Sequence, residues 1–227
     1  MNTNEQPQII SYTILRRTLG ILGVLLPIVL VIGAMVIGNC CEVQSSISNY
    51  YYTRMRNVFV GFLCAYSLFL WAYKGYPGNI WDNWLGNIAC ILGLGVAFLP
   101  TAVDETELTS CITTLVDNGI IGWLHLFCAA SFFIVLAIYS IFIFTKGSSS
   151  PTSQKKKRNR LYRICGYTML VNILLMAIYV LVFRKIFPAW EKAAPVFWLE
   201  AIALWAFGIS WLTKGEVFLT DPVSNNE

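Results

Sequence analysis

Charged residues are scarce in this chain. Lysine, arginine, aspartate and glutamate make up 12% of the 227 residues, whereas about a quarter is usual in soluble domains. Hydrophobic residues reach 57%. A soluble domain of this length could not bury so much apolar side chain, so the excess has to face lipid. The composition therefore excludes an ordinary soluble protein.

Histidine is rarer still, and N-glycosylation signals are missing. The chain has one histidine, His125. A zinc site needs several ligands at compatible spacing, so we expect no metal and no cofactor. No Asn-x-Ser/Thr sequence occurs, which favours a bacterial inner membrane over a eukaryotic cell surface.

Six apolar segments are each near the roughly twenty residues that a helix needs to cross the hydrocarbon core. They cover residues 19–37, 58–73, 84–99, 120–144, 164–182 and 196–212. Only helices or closed barrels satisfy the backbone in lipid, and these segments are too continuously apolar for barrel strands. We therefore predict an all-α polytopic membrane protein, a six-helix transmembrane bundle that forms a single domain over residues 1–227.

The basic residues give this bundle a direction, because cytoplasmic loops carry an excess of lysine and arginine. With the N-terminus inside, eleven basic residues lie on the cytoplasmic side and five on the outer side. The densest group lies in segment 146–160, which we expect to be a flexible basic loop in the cytoplasm. Both termini are then cytoplasmic. A solvated loop explains this charge run better than nucleic-acid binding does, so no nucleic-acid partner is expected.

Three of the seven cysteines fall in predicted outer loops. Cys40 and Cys41 lie in the first outer loop and Cys111 in the second, on the oxidising side of the membrane. Cys111 could form a disulfide with Cys40 or Cys41, or all three could remain thiols. The other four cysteines are predicted inside helices, where cysteine behaves as a small apolar residue.

Two ionisable residues lie within predicted spans, where such groups are costly and often functional. His125 is about five residues into the fourth span and Glu200 about four to six into the sixth, so both lie roughly 6–9 Å below the outer edge of the hydrocarbon. A candidate ligand-binding pocket open to the outer leaflet combines this pair with polar residues of the outer loops, namely Tyr52, Arg56, Asn57 and Asp104.

This pocket predicts a protein that binds a lipid headgroup or a small polar ligand, with membrane lipids as its partners. A lipid-modifying enzyme that uses His125 and Glu200 is the second possibility, and a small-solute transporter is the third. The structural alternative is a buried hydrogen bond between the pair that only fixes helix packing. Ser48 and Asp104 are further candidate catalytic groups, but the spacing of the four matches no hydrolytic motif. A homo-oligomer is compatible with the sequence.

Several short motifs carry a resemblance to known membrane proteins. They are Ser48-Asn49-Tyr50, Arg56-Asn57-Val58-Phe59-Val60-Gly61, Phe98-Leu99-Pro100-Thr101, His125, Phe207-Gly208-Ile209-Ser210-Trp211 and Lys214-Gly215. Over most of its length the chain resembles a group of uncharacterised six-helix bacterial membrane proteins, which implies the fold and no particular activity. The polar entry to the second helix is also similar to alkaline ceramidase-type membrane hydrolases. Those enzymes bind zinc through several histidines, and this chain has one, so their zinc chemistry is not implied.

Overall fold

A computed structural model describes residues 12–73, 80–103, 110–112, 119–146 and 152–220, with the backbone alone described at 80–82. The fold is all-α, and these ranges contain no strand. The long helices are α1 Tyr12–Gly38, α2 Arg56–Ala72, α3 Ile80–Phe98, α4 Gly119–Ile143, α5 Ser153–Ile186 and α6 Pro195–Lys214. Two short 3₁₀ helices, Ser48–Tyr52 and Pro188–Ala193, precede α2 and α6.

Four of the long helices, α1, α4, α5 and α6, are long and apolar enough to cross a membrane. Their outward faces carry large apolar side chains that the fold leaves exposed, among them Ile32, Trp123, Phe127, Leu174 and Leu181. A water-soluble protein would bury such faces, whereas lipid solvates them. The protein is therefore membrane-embedded. Helix α2 and the described part of α3 are apolar but shorter.

The helices pack in chain order around a closed ring, in which α6 returns to contact α1 as well as α5. Glycines allow the closest approach between α1 and α6. A Cβ atom added to Gly208 would lie 2.8 Å from the carbonyl oxygen of Gly20 and 3.1 Å from the backbone nitrogen of Val24. Small residues at such a crossing let two backbones come within van der Waals contact of each other.

The observed helices lie within a few residues of the apolar segments except at the starts of α1 and α5, which begin seven and eleven residues before the segments 19–37 and 164–182. The basic segment 146–160, which we expected to be a loop, is helical from Ser153 onward. Thr152 caps this helix by accepting a hydrogen bond from the backbone nitrogen of Lys155 at 3.1 Å. Hydropathy detects only the part of a helix that lies in lipid, whereas lysine and arginine are good helix formers and extend α5 beyond it.

The ring has two chemically different ends. One is the loop end, where the chain between α1 and α2 and the last residues of α3 lie. The other is the basic end, where α1 begins and α6 ends. A layer of buried aromatic rings lies near the basic end and consists of Tyr73, Tyr139, Phe144, Tyr162 and Trp211. The Phe144 and Trp211 ring centroids are 4.9 Å apart in an edge-on arrangement. This aromatic layer separates the interior of the loop end from the basic end.

Candidate functional site

The chain between α1 and α2, residues 39–55, folds into the loop end as a buried plug, and we call it the capping loop. No charged residue occurs from Val43 to Thr53. Most side chains of this stretch are buried, including the polar residues Gln44, Ser45, Ser48, Asn49 and Thr53. A buried loop has to satisfy its own polar groups, and here neighbouring groups of the loop satisfy several of them. Thr53 Oγ1 donates to the Tyr50 carbonyl at 2.9 Å and Asn49 Nδ2 to Ser45 Oγ at 2.5 Å.

Tyr50 occupies the centre of the capping loop, and its ring is fully buried. Burial raises the pKa of Tyr50 to about 12, because an apolar environment disfavours the phenolate anion. The side chain therefore stays neutral at physiological pH. Its ring packs 6.2 Å from that of Phe197 at the start of α6.

His125 of α4 holds the capping loop from one side. The side chain is 3% exposed. Its Nδ1 lies 2.7 Å from the Leu99 carbonyl and its Nε2 lies 2.9 Å from Ser48 Oγ. A carbonyl can only accept, so Nδ1 carries the hydrogen, and in the neutral ring Nε2 accepts the Ser48 hydroxyl hydrogen. The histidine thus joins the end of α3 to the capping loop.

Glu200 of α6 holds the next residue of the same loop. Its Oε2 accepts the backbone N–H of Ile47 at 2.6 Å. One turn earlier, the backbone nitrogen of Phe197 donates to the Ser45 carbonyl at 2.9 Å. His125 and Glu200 therefore bind adjacent residues of the capping loop, Ser48 and Ile47, and we call these two side chains the clamp.

The other predicted pocket residues lie around this clamp. The Tyr52 hydroxyl donates to the Thr101 carbonyl at 2.5 Å, which ties the capping loop to the end of α3. Arg56 is exposed, and its guanidinium lies 4.1 Å from the centre of the Tyr51 ring. Asn57 is exposed on the first turn of α2. Asp104 lies outside the described residues.

A disulfide joins Cys40, at the start of the capping loop, to Cys111 of the next connection at the loop end. This is one of the two pairings that the sequence left open. Cys41 is an exposed thiol beside it. The capping loop is thus held by a covalent bond as well as by hydrogen bonds to α3, α4 and α6.

A narrow crevice of about 30 Å³ lies directly beneath the capping loop. Ser48 and Glu200 contribute its polar groups. Apolar side chains from the capping loop and from α1, α2, α3, α4 and α6 form the rest of its wall, namely Leu26, Ile47, Phe59, Leu63, Val96, Ala129, Phe132, Phe133 and Leu204. Phe133 of α4 and Glu200 of α6 are only half-buried, so the crevice reaches the surface between these helices. This volume takes about one water molecule.

Sequence reasoning identified His125 and Glu200 but missed what they hold. Leu99 takes part through its carbonyl and Ile47 through its N–H, and main-chain groups leave no signal in a sequence. The long uncharged stretch from Val43 to Thr53, rich in serine and tyrosine, is the one signal that could have indicated a buried loop.

The described residues contain no group of three or more histidine, cysteine, aspartate or glutamate side chains that could hold a metal ion. No family model, curated protein or solved structure matches the chain. The geometry at the loop end is therefore the basis for inferring function.

Proposed function

We propose that the chain crosses a bacterial inner membrane six times, as α1 to α6, with both termini in the cytoplasm. Two independent features support this orientation. Lysine and arginine concentrate at the basic end, as they do on cytoplasmic faces, and the Cys40–Cys111 disulfide lies at the loop end, as expected on an oxidising face. Helix α2, with 17 residues, is about 25 Å long and spans a hydrocarbon core of about 30 Å only with local thinning.

We further propose that the protein binds an amphipathic ligand, a membrane lipid or a small molecule with a polar head, in the crevice under the capping loop. The observation that carries this proposal is the half-buried residue Glu200, which with Ser48 supplies the polar groups of a mostly apolar crevice. An ionisable group within a membrane span is costly, and it therefore favours a functional site over a purely structural one. The aromatic wall suits an acyl chain, and the carboxyl group suits a hydroxyl or amine head. Because the crevice holds about one water molecule when closed, binding requires the crevice to widen, with Phe133 kept as part of its apolar wall.

Lipid retention tests this function. Purified protein is reconstituted in nanodiscs with a mixture of phosphatidylethanolamine and phosphatidylglycerol, released in mild detergent and analysed by native mass spectrometry. We expect the wild type to retain a lipid, and Glu200→Gln and Phe133→Ala to retain less. Phe127→Ala is the matched control, because Phe127 lies on the same helix but faces outward. Equal retention by all four proteins would contradict the proposal.

The contact between Ser48 and His125 favours a second function, acyl-ester hydrolysis within the membrane. A serine hydroxyl bonded to a histidine nitrogen, with the other nitrogen oriented by a third group, is the arrangement that activates a serine nucleophile. Ser48 Oγ would attack an ester carbonyl carbon while its proton passes to His125 Nε2. The proton then leaves with the alcohol, and water releases the acid from the acyl-serine. Ser48 lines the apolar crevice, where an acyl chain would lie.

Activity-based labelling tests this second function. A long-chain fluorophosphonate modifies an activated serine, so we expect labelling of the wild type and its loss in Ser48→Ala and His125→Gln. Ser67→Ala serves as the control, because Ser67 is also buried but donates its hydroxyl to the Leu63 carbonyl of its own helix. Absence of Ser48-dependent labelling with both short-chain and long-chain probes would contradict ester hydrolysis. The Ser48–His125 contact would then only anchor the capping loop.

A further inference from the structure

The basic end carries a cluster of cations that the loop end does not use. Arg16 of α1, Lys155 and Arg158 of α5, and Lys214 of α6 line one pocket of about 250 Å³, which we call the basic pocket. The rest of its wall comes from Tyr162, Thr213, Glu216 and Thr220. Among these described lining residues Glu216 is the one acid, and it is exposed. Four like charges around one pocket repel one another, and an anion between them would relieve that repulsion.

The sequence places these cations together through helix geometry. Lys155 and Arg158 are three residues apart and Tyr162 follows four residues later, so the three share one face of α5. The other basic side chains of the run, Lys156, Lys157 and Arg160, are exposed outside the pocket. Helices α1 and α6 cross at their glycines, which brings Arg16 and Lys214 to the same end of the ring.

Main-chain carbonyls position two of the cations. Lys155 Nζ lies 3.1 Å from both the Phe144 and the Lys146 carbonyl oxygens, at the end of α4. Arg158 Nη1 lies 2.6 Å from the Leu219 carbonyl oxygen. Basic side chains commonly satisfy the free carbonyls at helix ends, so capping of α4 accounts for the Lys155 contacts. The Arg158 contact joins α5 to the chain that follows α6.

Capping does not account for Arg16. The Arg16 guanidinium packs 5.6 Å from the Tyr73 ring centre and donates to the Tyr73 hydroxyl at 3.4 Å. Its Nε atom is buried and has no hydrogen-bond partner among the described residues. Lys214 Nζ lies 5.5 Å from the Phe144 ring centre. A buried guanidinium N–H without an acceptor is unusual, and an oxygen ligand in the pocket would provide one.

We propose that the basic pocket binds a phosphate group, either inorganic phosphate or the phosphomonoester head of a lipid. Two arginines offer the planar donor forks that match phosphate oxygens, and two lysines add point charges. A water molecule occupies about 30 Å³ in the liquid, so the pocket has room for the five heavy atoms of a phosphate group. Basic pockets between membrane helices recognise anionic headgroups in this way. The proposal is independent of the Glu200 crevice, which lies at the other end of the bundle.

Thermal unfolding of the full-length protein tests this inference in two arms. In the first, inorganic phosphate is added to protein in neutral detergent, with chloride at matched ionic strength as the reference. In the second, phosphatidylcholine nanodiscs with and without phosphatidic acid are compared. Stabilisation in both arms identifies phosphate itself as the ligand, and stabilisation by phosphatidic acid alone identifies a lipid head. Either result supports the proposal, and an unchanged melting temperature in both arms overturns it.

Matched variants separate the pocket from general charge. Arg16→Gln with Lys214→Gln removes the two cations that α1 and α6 contribute to the pocket, and we expect about a hundredfold weaker phosphate or phosphatidic acid binding, about tenfold for each charged contact. Lys156→Gln with Lys157→Gln removes the same charge from outside the pocket and should leave binding unchanged. Native mass spectrometry of the bound anion gives a readout that does not depend on melting. Equal weakening by the two double variants would mean that the basic end attracts anions without a specific site.

Discussion

Replacement of Glu200 by alanine should release the capping loop from α6. The Ile47 N–H would lose its acceptor while Ile47 stays 4% exposed. An orphaned buried donor costs about 1–3 kcal/mol. For a chain of this size, each kcal/mol corresponds to about 2–4 °C in melting temperature, so we expect a decrease of about 2–12 °C. Differential scanning fluorimetry in detergent measures it.

Glutamine at position 200 provides the matched comparison, because its amide oxygen can still accept the Ile47 N–H. We expect Glu200→Gln to keep at least about half of the stability that Glu200→Ala loses. Glu42→Ala, which removes an exposed carboxylate of the same loop, should leave the melting temperature unchanged. If Glu200→Ala has the same melting temperature as the wild type, the hydrogen bond to Ile47 does not hold the capping loop, and the role assigned to Glu200 in the clamp is wrong.

The double variant His125→Ala with Glu200→Ala sharpens the result. The two side chains bind adjacent residues, Ser48 and Ile47, so loss of one bond should already loosen the segment that the other holds. We expect the combined loss of stability to fall short of the sum by about 0.5–3 kcal/mol, as contacting residues generally show. Strict additivity would mean that the two side chains act on separate parts of the loop.

Three further predictions concern the same fold. Cys111→Ser removes the disulfide to Cys40, which lies 71 residues away in the sequence, and should lower the free energy of unfolding by about 4 kcal/mol in the chain-entropy model. The measurement is a lower melting temperature that added reductant no longer changes. Tyr52→Phe removes a hydrogen bond to the end of α3 and should cost about 1 kcal/mol by the same assay. Gly208→Val places side-chain atoms against the backbone of α1 and should cost about 3 kcal/mol or more. Gly61→Val is the control and should fold normally, because no atom lies within 4 Å of its added Cβ. Equal yields of the two variants in size-exclusion chromatography would refute the close crossing of α1 and α6.

Much of the helix arrangement could be predicted from the sequence, because a membrane helix has to be continuously apolar. The segment 120–144 differs from observed α4 by one residue at each end. The start of α5 could not be found in this way, since Lys155 and Arg158 are helical in a polar environment. Hydropathy reports on the solvent around a helix and not on its full length.

The candidate site was harder to predict for a different reason. Depth in the membrane placed His125 and Glu200 at one level, but it carries no information about which way each helix turns its side chains. The capping loop determines what the two side chains bind, because it presents Ile47 to Glu200 and Ser48 to His125. The basic pocket left a readable signal, the spacing of Lys155 and Arg158 on α5, which becomes informative only once that segment is known to be helical.

The crossing of α1 and α6 has a consequence for biogenesis. The ribosome delivers α1 to the translocon first and α6 last of the long helices, yet each provides the surface against which the other packs. Until α6 emerges, the groove around Gly20 on α1 therefore faces lipid or an insertion chaperone. Closure of the ring is thus a late event in synthesis. A ribosome stalled before α6 should leave α1 open to crosslinking by lipid-soluble reagents at positions that the finished protein protects.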